Sequence, residues 1–337
     1  MRRTNRLAAL MAATALCASW AWPASAQQAP PTGAPPANSA ALDRLQNMRS
    51  SGSARDMEAV PQEGRRADAL RRVLQRIRLP EGFRIDLYAV VPDARHMAVG
   101  PSSGVVFVGT RKQRVWAVTD RDRDRVADEV KVFAPSVAFN VPNGPCFSPD
   151  GILYIAEHNR ILAFPAAEFF YETPDVAVET VVQQGGLIPV EEESFNHGAR
   201  VCRIGADNKL YVSLGQRYNV PPAAKRELYE RVGIGGIVRM DRNGQNREVF
   251  ARGLRNSVGI TFRPGVPADR PELWFTDMQV DGMGDDIPPG EINRITAGGN
   301  YGWPHVAGQQ DDHFYVYAQW SEASETCDQM EWVGPSK

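Results

Sequence analysis

Short runs of apolar residues, broken by turns, dominate residues 79–337. An apolar approach, a turn and a strand-like run recur four times, and an aromatic residue marks each of these runs: Phe107, Tyr154, Tyr211 and Trp274. These aromatic residues are 47, 57 and 63 positions apart, and each run is followed by a further apolar stretch. Repeats of this period, with several short strands each, are typical of propeller blades. The pattern predicts an all-β propeller with about four blades in residues 79–337.

The first 78 residues follow other patterns. Residues 1–26 combine a basic start, an apolar run and the sequence Ala24-Ser25-Ala26, which together predict a secretory signal peptide. Residues 27–64 are rich in Pro, Ala and Ser, a composition that predicts a disordered leader. Residues 65–78 place apolar side chains at helical spacing among arginines, which predicts an amphipathic basic helix docked on the domain. A surface for an acidic redox partner is the alternative for this helix.

Charge and cysteine content restrict the class of protein. Removal of residues 1–26, which carry three arginines and no acidic residue, would change the formal net charge from −2 to −5. An acidic protein is a poor candidate for nucleic acid binding, and the leader predicts a periplasmic or secreted location. Cys146 and Cys202 lie in apolar strand patterns and are interpreted as small core residues. With Cys327 the cysteine number beyond residue 26 is odd, so at least one thiol has no partner within the chain.

The stretch from Gly253 to Pro304 carries most of the candidate chemistry. Arg255 and Asn256 follow a glycine and can donate hydrogen bonds to an anionic ligand. An acidic loop at 281–286 follows one short strand later and can offer oxygens to a hard cation, although a solvated acidic loop explains it equally well. Arg255 has an alternative role as a buried arginine paired with a carboxylate of that loop.

The order of the motifs in this stretch resembles the glucose/sorbosone dehydrogenase family. Arg255-Asn256 falls on that family's G-x-R-N motif, Glu291-Ile292-Asn293 on its E-I-N motif and Asn300 to Pro304 on its N-Y-G-W-P motif. The resemblance implies a six-bladed propeller that oxidises an aldose or sugar aldehyde with pyrroloquinoline quinone (PQQ) and Ca²⁺. Electrons would pass to an external acceptor such as a cytochrome c. Because about four repeats are visible before Lys337, the chain is expected to be C-terminally truncated relative to that family.

The resemblance also implies roles for individual residues. His197 stands eight residues before the Gly205-Ala206-Asp207 turn, as the family's catalytic histidine does, and would act as the general base. Asn196 takes the position of an aspartate that orients this histidine in the glucose branch. Arg255 would be catalytic, and the resemblance places these residues against PQQ: Arg255, Asn256 and Met278. The resemblance implies that calcium takes backbone oxygens after the Leu273–Asp277 strand, at Gln279 and Val280. Independently of the resemblance, the acidic residues Asp281, Asp285, Asp286 and Glu291 could hold a second, structural calcium, with a solvated loop as the alternative.

Several alternatives stay open at this point. The run from Asp120 to Arg125 alternates acids with arginines and predicts a hairpin loop in preference to a calcium loop, because it lacks the glycine of an EF-hand. Two other functions compete with sugar oxidation. One is a calcium-dependent lactone hydrolase of the same architecture. The other is a truncated, non-enzymatic propeller that binds a sugar or protein, or is a gene remnant. An exposed blade edge would suit a second copy of the chain, giving a homodimer.

Overall fold

The computed structural model describes residues 57–266, 272–282, 288–295 and 297–305, together with the backbone of two strands at 315–318 and 330–333. The predicted signal peptide at 1–26 and most of the predicted leader lie outside the described residues. Within the described part of the chain, no helix has the length and apolar character that crossing a membrane requires.

The predicted basic helix is present but shorter than its pattern. Helix α1 runs Arg65–Leu74, and turns replace it before residue 78. The apolar positions Leu70, Val73 and Ile77 are exposed, whereas Ala67 is buried. These apolar side chains therefore face solvent, and the buried residue of this helix is a small one on another face. Docking of the helix on the domain stays a prediction.

The four predicted repeats fold as separate antiparallel sheets, each with its strands in chain order. The first sheet contains β1 Ala94–Val99, β2 Val106–Thr110, β3 Val115–Thr119 and β4 Glu129–Phe133. The second contains β5 Gly144–Phe147, β6 Leu153–Ala156, β7 Ile161–Phe164 and β8 Glu179–Val182. Strands β3, β6 and β7 are buried at every position. Strands β6 and β7 lie between two neighbouring blades, which explains their burial on both faces. The second face of β3 is covered instead by an apolar cluster that includes Met57.

The third and fourth sheets follow the same plan. The third contains β9 Cys202–Ile204, β10 Lys209–Leu214, β11 Gly236–Asp241 and β12 Glu248–Arg252, and the short strand β16 Gly299–Asn300 joins β12 in parallel. The fourth contains β13 Gly259–Phe262, β14 Leu273–Asp277 and β15 Glu291–Ile295. A further hairpin pairs β17 Tyr315–Ala318 with β18 Met330–Val333. Short helices α2 Ala167–Phe170 and α3 Arg226–Val232, and 3₁₀ turns at Val190–Glu192 and Ala223–Lys225, lie in the connections.

Contacts between the first strands of neighbouring sheets show how the sheets are arranged. Strand β1 contacts β5, β5 contacts β9, and β9 contacts β13. The first strand of each sheet is therefore the inner one, and the sheets radiate outward as blades. Apolar side chains fill the space between adjacent blades; Phe107 of the first packs on Phe147 of the second with ring centroids 5.6 Å apart. The predicted all-β propeller arrangement is confirmed.

A disulfide joins two inner strands. Cys146 on β5 and Cys202 on β9 are buried and bonded to each other. Their interpretation as small core residues is right for burial, but it missed the bond. The two cysteines are 56 residues apart in sequence, and closing a loop of that length stabilises a fold by about 4 kcal/mol in the chain-entropy model. The disulfide links the second blade to the third. It does so at Cys202, the first residue of the strand that follows the His197 loop.

Candidate functional site

His197 lies in the loop that leads into strand β9. Its backbone has a positive φ of 50°, an uncommon conformation for a residue with a side chain. The ring Nδ1 atom is 2.8 Å from the carbonyl oxygen of Gln216. A carbonyl can only accept, so Nδ1 carries the proton in this arrangement and Nε2 is the basic nitrogen. Loop geometry therefore selects the tautomer that a general base requires.

The surroundings of His197 keep its imidazole neutral. Burial lowers the pKa of His197, and the positive charge of Arg255 lowers it further. The Gln216 carbonyl and the charge of Asp281 act in the opposite direction, and Arg111 adds to the lowering. A neutral imidazole at pH 7 can accept a proton from a hydroxyl group.

Arg200 supports this loop from below, a role that sequence reasoning missed. Its side chain is fully buried and donates to the main-chain carbonyls of His158 at 2.9 Å, His197 at 3.1 Å and Gly215 at 3.0 Å. Burial lowers the pKa of Arg200 to about 10, so it stays charged at neutral pH. The guanidinium ties the backbone of His197 to the end of β10. The sequence signal that could have identified Arg200 is its position immediately before an apolar strand.

Gly215 brings His197 and Asn256 together. A Cβ atom on Gly215 would lie 2.5 Å from the His197 carbonyl oxygen and 2.6 Å from Oδ1 of Asn256. A Cβ atom essentially never lies that close to another heavy atom, so this position admits only glycine without movement of the loop. The predicted base residue and the predicted cofactor-binding amide therefore approach the same face of Gly215.

Asp277 holds the Arg255-Asn256 turn in place. Its carboxylate accepts hydrogen bonds from the backbone nitrogens of Arg255 at 3.1 Å and Asn256 at 2.8 Å. Asp277 ends strand β14 and is buried, which raises its pKa to about 6; the two N–H donors oppose that rise and the nearby Glu291 charge adds to it. Met278, predicted to contact the cofactor, is half-exposed, and its backbone nitrogen donates to the Asn256 carbonyl at 3.1 Å. Sequence reasoning did not identify Asp277 as the anchor of this turn.

The guanidinium of Arg255 is held by this chain's own oxygens. It is 1% exposed and forms an ion pair with Asp281 at 2.6 Å. It also donates to the carbonyls of Asn219 at 3.0 Å and Met278 at 3.2 Å. The ion pair with Asp281 is the contact that the alternative role of Arg255 describes; whether Arg255 also contacts a cofactor stays a prediction. Oδ2 of Asp281 is therefore engaged by this arginine.

A second arginine approaches His197 from the first blade. Arg111 stacks over the ring of Phe195, 4.2 Å from its centroid, and donates to the Phe195 carbonyl at 2.9 Å. Its Nε atom is buried and has no hydrogen-bond acceptor among the described residues. Arg111 is 86 positions before His197, and no local motif pointed to it. Two cationic side chains, Arg111 and Arg255, therefore flank the histidine.

Asn196 does not orient His197. Its side chain is exposed, and its backbone nitrogen donates to Oγ of Ser194 at 3.1 Å. The atom that holds the imidazole is the Gln216 carbonyl. The prediction that Asn196 replaces an orienting aspartate is therefore corrected: a main-chain group does this work.

The predicted metal-binding residues are only partly within the described chain. Asp285 and Asp286 lie outside it. Gln279 has a buried Oε1 atom without a donor among the described residues, and Val280 beside it is buried. Glu291 accepts a hydrogen bond from Asn293 at 2.7 Å and lies opposite Asp277 across strands β14 and β15. Gln279 and Val280 directly follow Met278, whose carbonyl accepts a hydrogen bond from Arg255; their role as metal ligands stays a prediction.

A separate acidic group lies in the hairpin loop between β3 and β4. Ligand atoms of Asp120, Asp122 and Asp124 are within 4.8 Å of one another. Asp120 and Asp124 accept hydrogen bonds from the backbone nitrogens of Arg125 at 3.1 Å and Val126 at 2.7 Å. These carboxylates shape their own turn, which agrees with the predicted hairpin loop.

Comparison with known proteins supports the resemblance drawn from the motifs. Residues 176–332 match the model of the Glucose / Sorbosone dehydrogenase family. An uncharacterized protein from Borreliella burgdorferi is 25% identical over 258 residues, covering 74% of this chain and 62% of that protein. Quinoprotein glucose dehydrogenase B from Acinetobacter calcoaceticus is 36% identical over 178 residues, covering 45% of this chain and 35% of that protein. The chain thus spans less than two thirds of either relative.

A solved structure shares the fold. The calcium structure of a Carbohydrate-Active Enzymes Family AA12 protein from Trichoderma reesei superposes with a TM-score of 0.54 at 21% identity, covering 72% of this chain and 61% of that one. The family match contains His197 and Arg255 but not Arg111, which lies before residue 176. The resemblance of this chain to the glucose/sorbosone dehydrogenase family is confirmed.

Proposed function

We propose that this chain oxidises an aldose or sugar aldehyde with PQQ as the hydride acceptor. The observation that carries the proposal is the 2.8 Å contact that fixes His197 with Nε2 as its basic nitrogen, beside Asn256 and two arginines. The family match and the likeness to a quinoprotein glucose dehydrogenase support the choice of chemistry.

The donor set around His197 fits an anionic quinone. PQQ carries carboxylates, which are best bound by arginine and amide donors. Arg111 offers a buried Nε without an acceptor among the described residues. The Asn256 side chain and the backbone of His197 both lie close to Gly215. Arg111, Arg255, Asn256 and Met278 are the residues that would hold the cofactor. When bound, PQQ supplies a carbonyl carbon that takes up hydride.

His197 would perform the proton transfer. As the sugar C–H bond breaks and its hydrogen leaves as hydride, the hydroxyl proton passes to Nε2 of His197 and the C–O bond becomes a carbonyl. The lowered pKa of His197 keeps Nε2 free to receive that proton. Arg255 contributes positive charge from a fixed position, which favours developing negative charge on a neighbouring oxygen. Asp281 offsets part of that charge.

Calcium would bind beside the Arg255 turn. The buried Oε1 of Gln279 lacks a donor among the described residues, and a hard cation prefers such oxygen ligands. Val280, Glu291 and, outside the described residues, Asp285 and Asp286 complete the proposed ligand set. The ion would polarise an oxygen of the bound group.

Export, an external acceptor and self-association complete the proposal. The Ala24-Ser25-Ala26 signal supports a periplasmic or secreted location, where a cytochrome c could receive the electrons. A homodimer would cover an exposed blade edge.

One observation favours a second candidate, a sugar-binding or protein-binding propeller without activity. Asp281 pairs with Arg255 and leaves this arginine partly neutralised. A PQQ titration of the purified chain, with Ca²⁺ and with a chelator, separates the two candidates when it is followed by dye reduction with several aldoses. Saturable, calcium-dependent binding with dye reduction supports the dehydrogenase. Sugar binding without quinone binding would support the second candidate, and quinone-independent lactone hydrolysis would point to a hydrolase.

A further inference from the structure

A small cavity lies beside the His197 site, between helix α3, the end of strand β12 and the turn at residues 300–305. Its volume is about 60 Å³. Three glycines with positive φ shape its walls: Gly235 at 68°, Gly253 at 71° and Gly302 at 95°. A Cβ atom on Gly253 would lie 2.1 Å from Oδ1 of Asn300, so these turns pack closely and fix the shape of the cavity.

Four residues that line the cavity have buried N–H donors without acceptors among the described residues. The donors are Nε2 of Gln216, Nε of Arg226, Nε of Arg252 and Nε1 of Trp303. Gln216 is 1% exposed and Trp303 is 6% exposed, so water outside the protein does not satisfy them. Buried donors without partners are rare because each loses its hydrogen bond to water. Four such donors around one small space indicate a missing acceptor.

The charges that line the cavity are mainly positive. Arg226 and Arg252 contribute two guanidinium groups to the lining. Glu230 is the acidic residue among the lining side chains, and it is exposed. The other oxygens nearby are already engaged: the Tyr229 hydroxyl donates to Glu192 at 2.7 Å, and Oδ1 of Asn300 accepts from the Gly302 nitrogen at 3.0 Å.

We propose that this cavity binds one small oxyanion, of the class of phosphate, sulfate or a short carboxylate. An oxyanion presents several acceptor oxygens within a few ångströms of one another, which matches the four N–H donors that line this cavity. A buried water needs roughly 10–15 Å³, so the space also accommodates a few water molecules. Water would satisfy the N–H donors, but Arg226 and Arg252 have no ion pair among the described residues, and an oxyanion would supply both the acceptors and a counter-charge inside the cavity.

The site touches the proposed base through one residue. Gln216 lines the cavity with its side chain, and its carbonyl oxygen accepts the hydrogen bond from Nδ1 of His197. An anion that accepts a hydrogen bond from the Gln216 side-chain amide would therefore restrict the movement of Gln216, whose carbonyl orients the imidazole of His197. The binding site itself does not depend on the proposed sugar oxidation, and its test needs no turnover.

Calorimetric titration of the purified protein with sodium phosphate, sulfate and acetate, at ionic strength matched with sodium chloride, tests the proposal. We expect saturable binding of at least one oxyanion and none of chloride. Trp303→Phe keeps an aromatic ring but removes Nε1–H, and Arg252→Met removes one guanidinium; each is expected to weaken binding at least tenfold. Arg231→Met is the matched control, because Arg231 is on the same helix as Arg226 but is exposed and pairs with Glu227 at 3.6 Å.

The control should bind within twofold of the unmodified protein. Two results would overturn the proposal. One is the absence of saturable binding by all three oxyanions in the unmodified protein. The other is an equal loss of affinity in Trp303→Phe, Arg252→Met and Arg231→Met, which would show a general charge effect. Because no sugar or quinone is present, neither result bears on the dehydrogenase proposal.

Discussion

The imidazole of His197 is oriented by a main-chain atom, the carbonyl oxygen of Gln216, 2.8 Å from Nδ1. A carbonyl fixes the ring and its tautomer without adding a full negative charge. Burial and the positive charge of Arg255 therefore lower the pKa of His197 without opposition from a carboxylate bonded to the ring. A base held in this way is neutral at pH 7 but weaker than one paired with a carboxylate.

The charge of Asp281 affects the pKa of His197, so Asp281→Asn should change that pKa. Asp281 raises the pKa of His197, so removing its charge should lower that pKa further, while asparagine keeps an acceptor oxygen for Arg255. An NMR titration of the histidine resonances measures the change. Glu227→Gln, a substitution on the exposed face of α3, is the control and should leave the His197 titration unchanged. A rise in the His197 pKa in Asp281→Asn would contradict the account.

The same pKa has a consequence for stability. Because the folded pKa of His197 lies below its ordinary value of 6.5, the unfolded chain takes up the proton first as pH falls. The contribution of His197 to stability is therefore present above pH 6.5 and is lost as pH falls toward the folded pKa.

Gly215 is predicted to be intolerant of alanine. The added Cβ would meet the His197 carbonyl oxygen at 2.5 Å and Oδ1 of Asn256 at 2.6 Å, so the loop or the Asn256 side chain must move. We expect Gly215→Ala to reduce stability by about 1–3 kcal/mol and to reduce any activity that needs both residues. Gly290→Ala is the control, since its added Cβ would have its nearest contact at 3.4 Å. Urea unfolding of both variants measures the difference, and equal stabilities would count against this packing.

Asp277→Asn should loosen the Arg255-Asn256 turn. One carboxylate oxygen accepts from each of two backbone nitrogens, and asparagine replaces one acceptor with a donor. We expect a loss of about 1–3 kcal/mol in the free energy of unfolding at pH 7.

The pH dependence of that loss provides a second readout. The pKa of Asp277 is raised to about 6, so the folded state holds a proton that the unfolded state has released. This group therefore makes stability fall as pH rises from about 4 to 6. Asp277→Asn should abolish that slope. An unchanged slope in denaturant titrations across this range would show that Asp277 does not titrate as described.

The disulfide between the second and third blades predicts a large stability effect. Replacing both Cys146 and Cys202 by serine should lower the free energy of unfolding by about 2–4 kcal/mol. Cys327→Ser, outside the described residues, is the matched cysteine substitution and should not produce that loss. Thermal unfolding with and without a reductant measures the effect: the unmodified protein should be destabilised by reduction, whereas the double variant should not respond.

The blades could be predicted from sequence because their signal is local. Short apolar runs around Phe107, Tyr154, Tyr211 and Trp274, each bounded by turns, mark one strand in every blade. His197, Arg255 and Asn256 could be named because ordered motifs marked them, and the structure brings them together around Gly215.

Other parts of the site depend on distant pairings that no local pattern encodes. The group that orients His197 is a backbone carbonyl, which every residue type has, so Gln216 carried no signal. Arg111 reaches the site from the first blade through its contacts with Phe195. Two pairings depend on which strands lie side by side in three dimensions. They are the ion pair of Arg255 with Asp281 and the disulfide of Cys146 with Cys202.

The most direct test of the central claim is the rate of sugar-dependent dye reduction by His197→Ala, with PQQ and Ca²⁺ saturating. The account predicts a fall in kcat of about 10²–10⁴-fold, because a general base contributes an acceleration of that order. Asn196→Ala, which changes the exposed neighbour that does not hold the ring, should retain kcat within severalfold. A His197→Ala protein as active as the unmodified chain would contradict the assignment of His197 as the base.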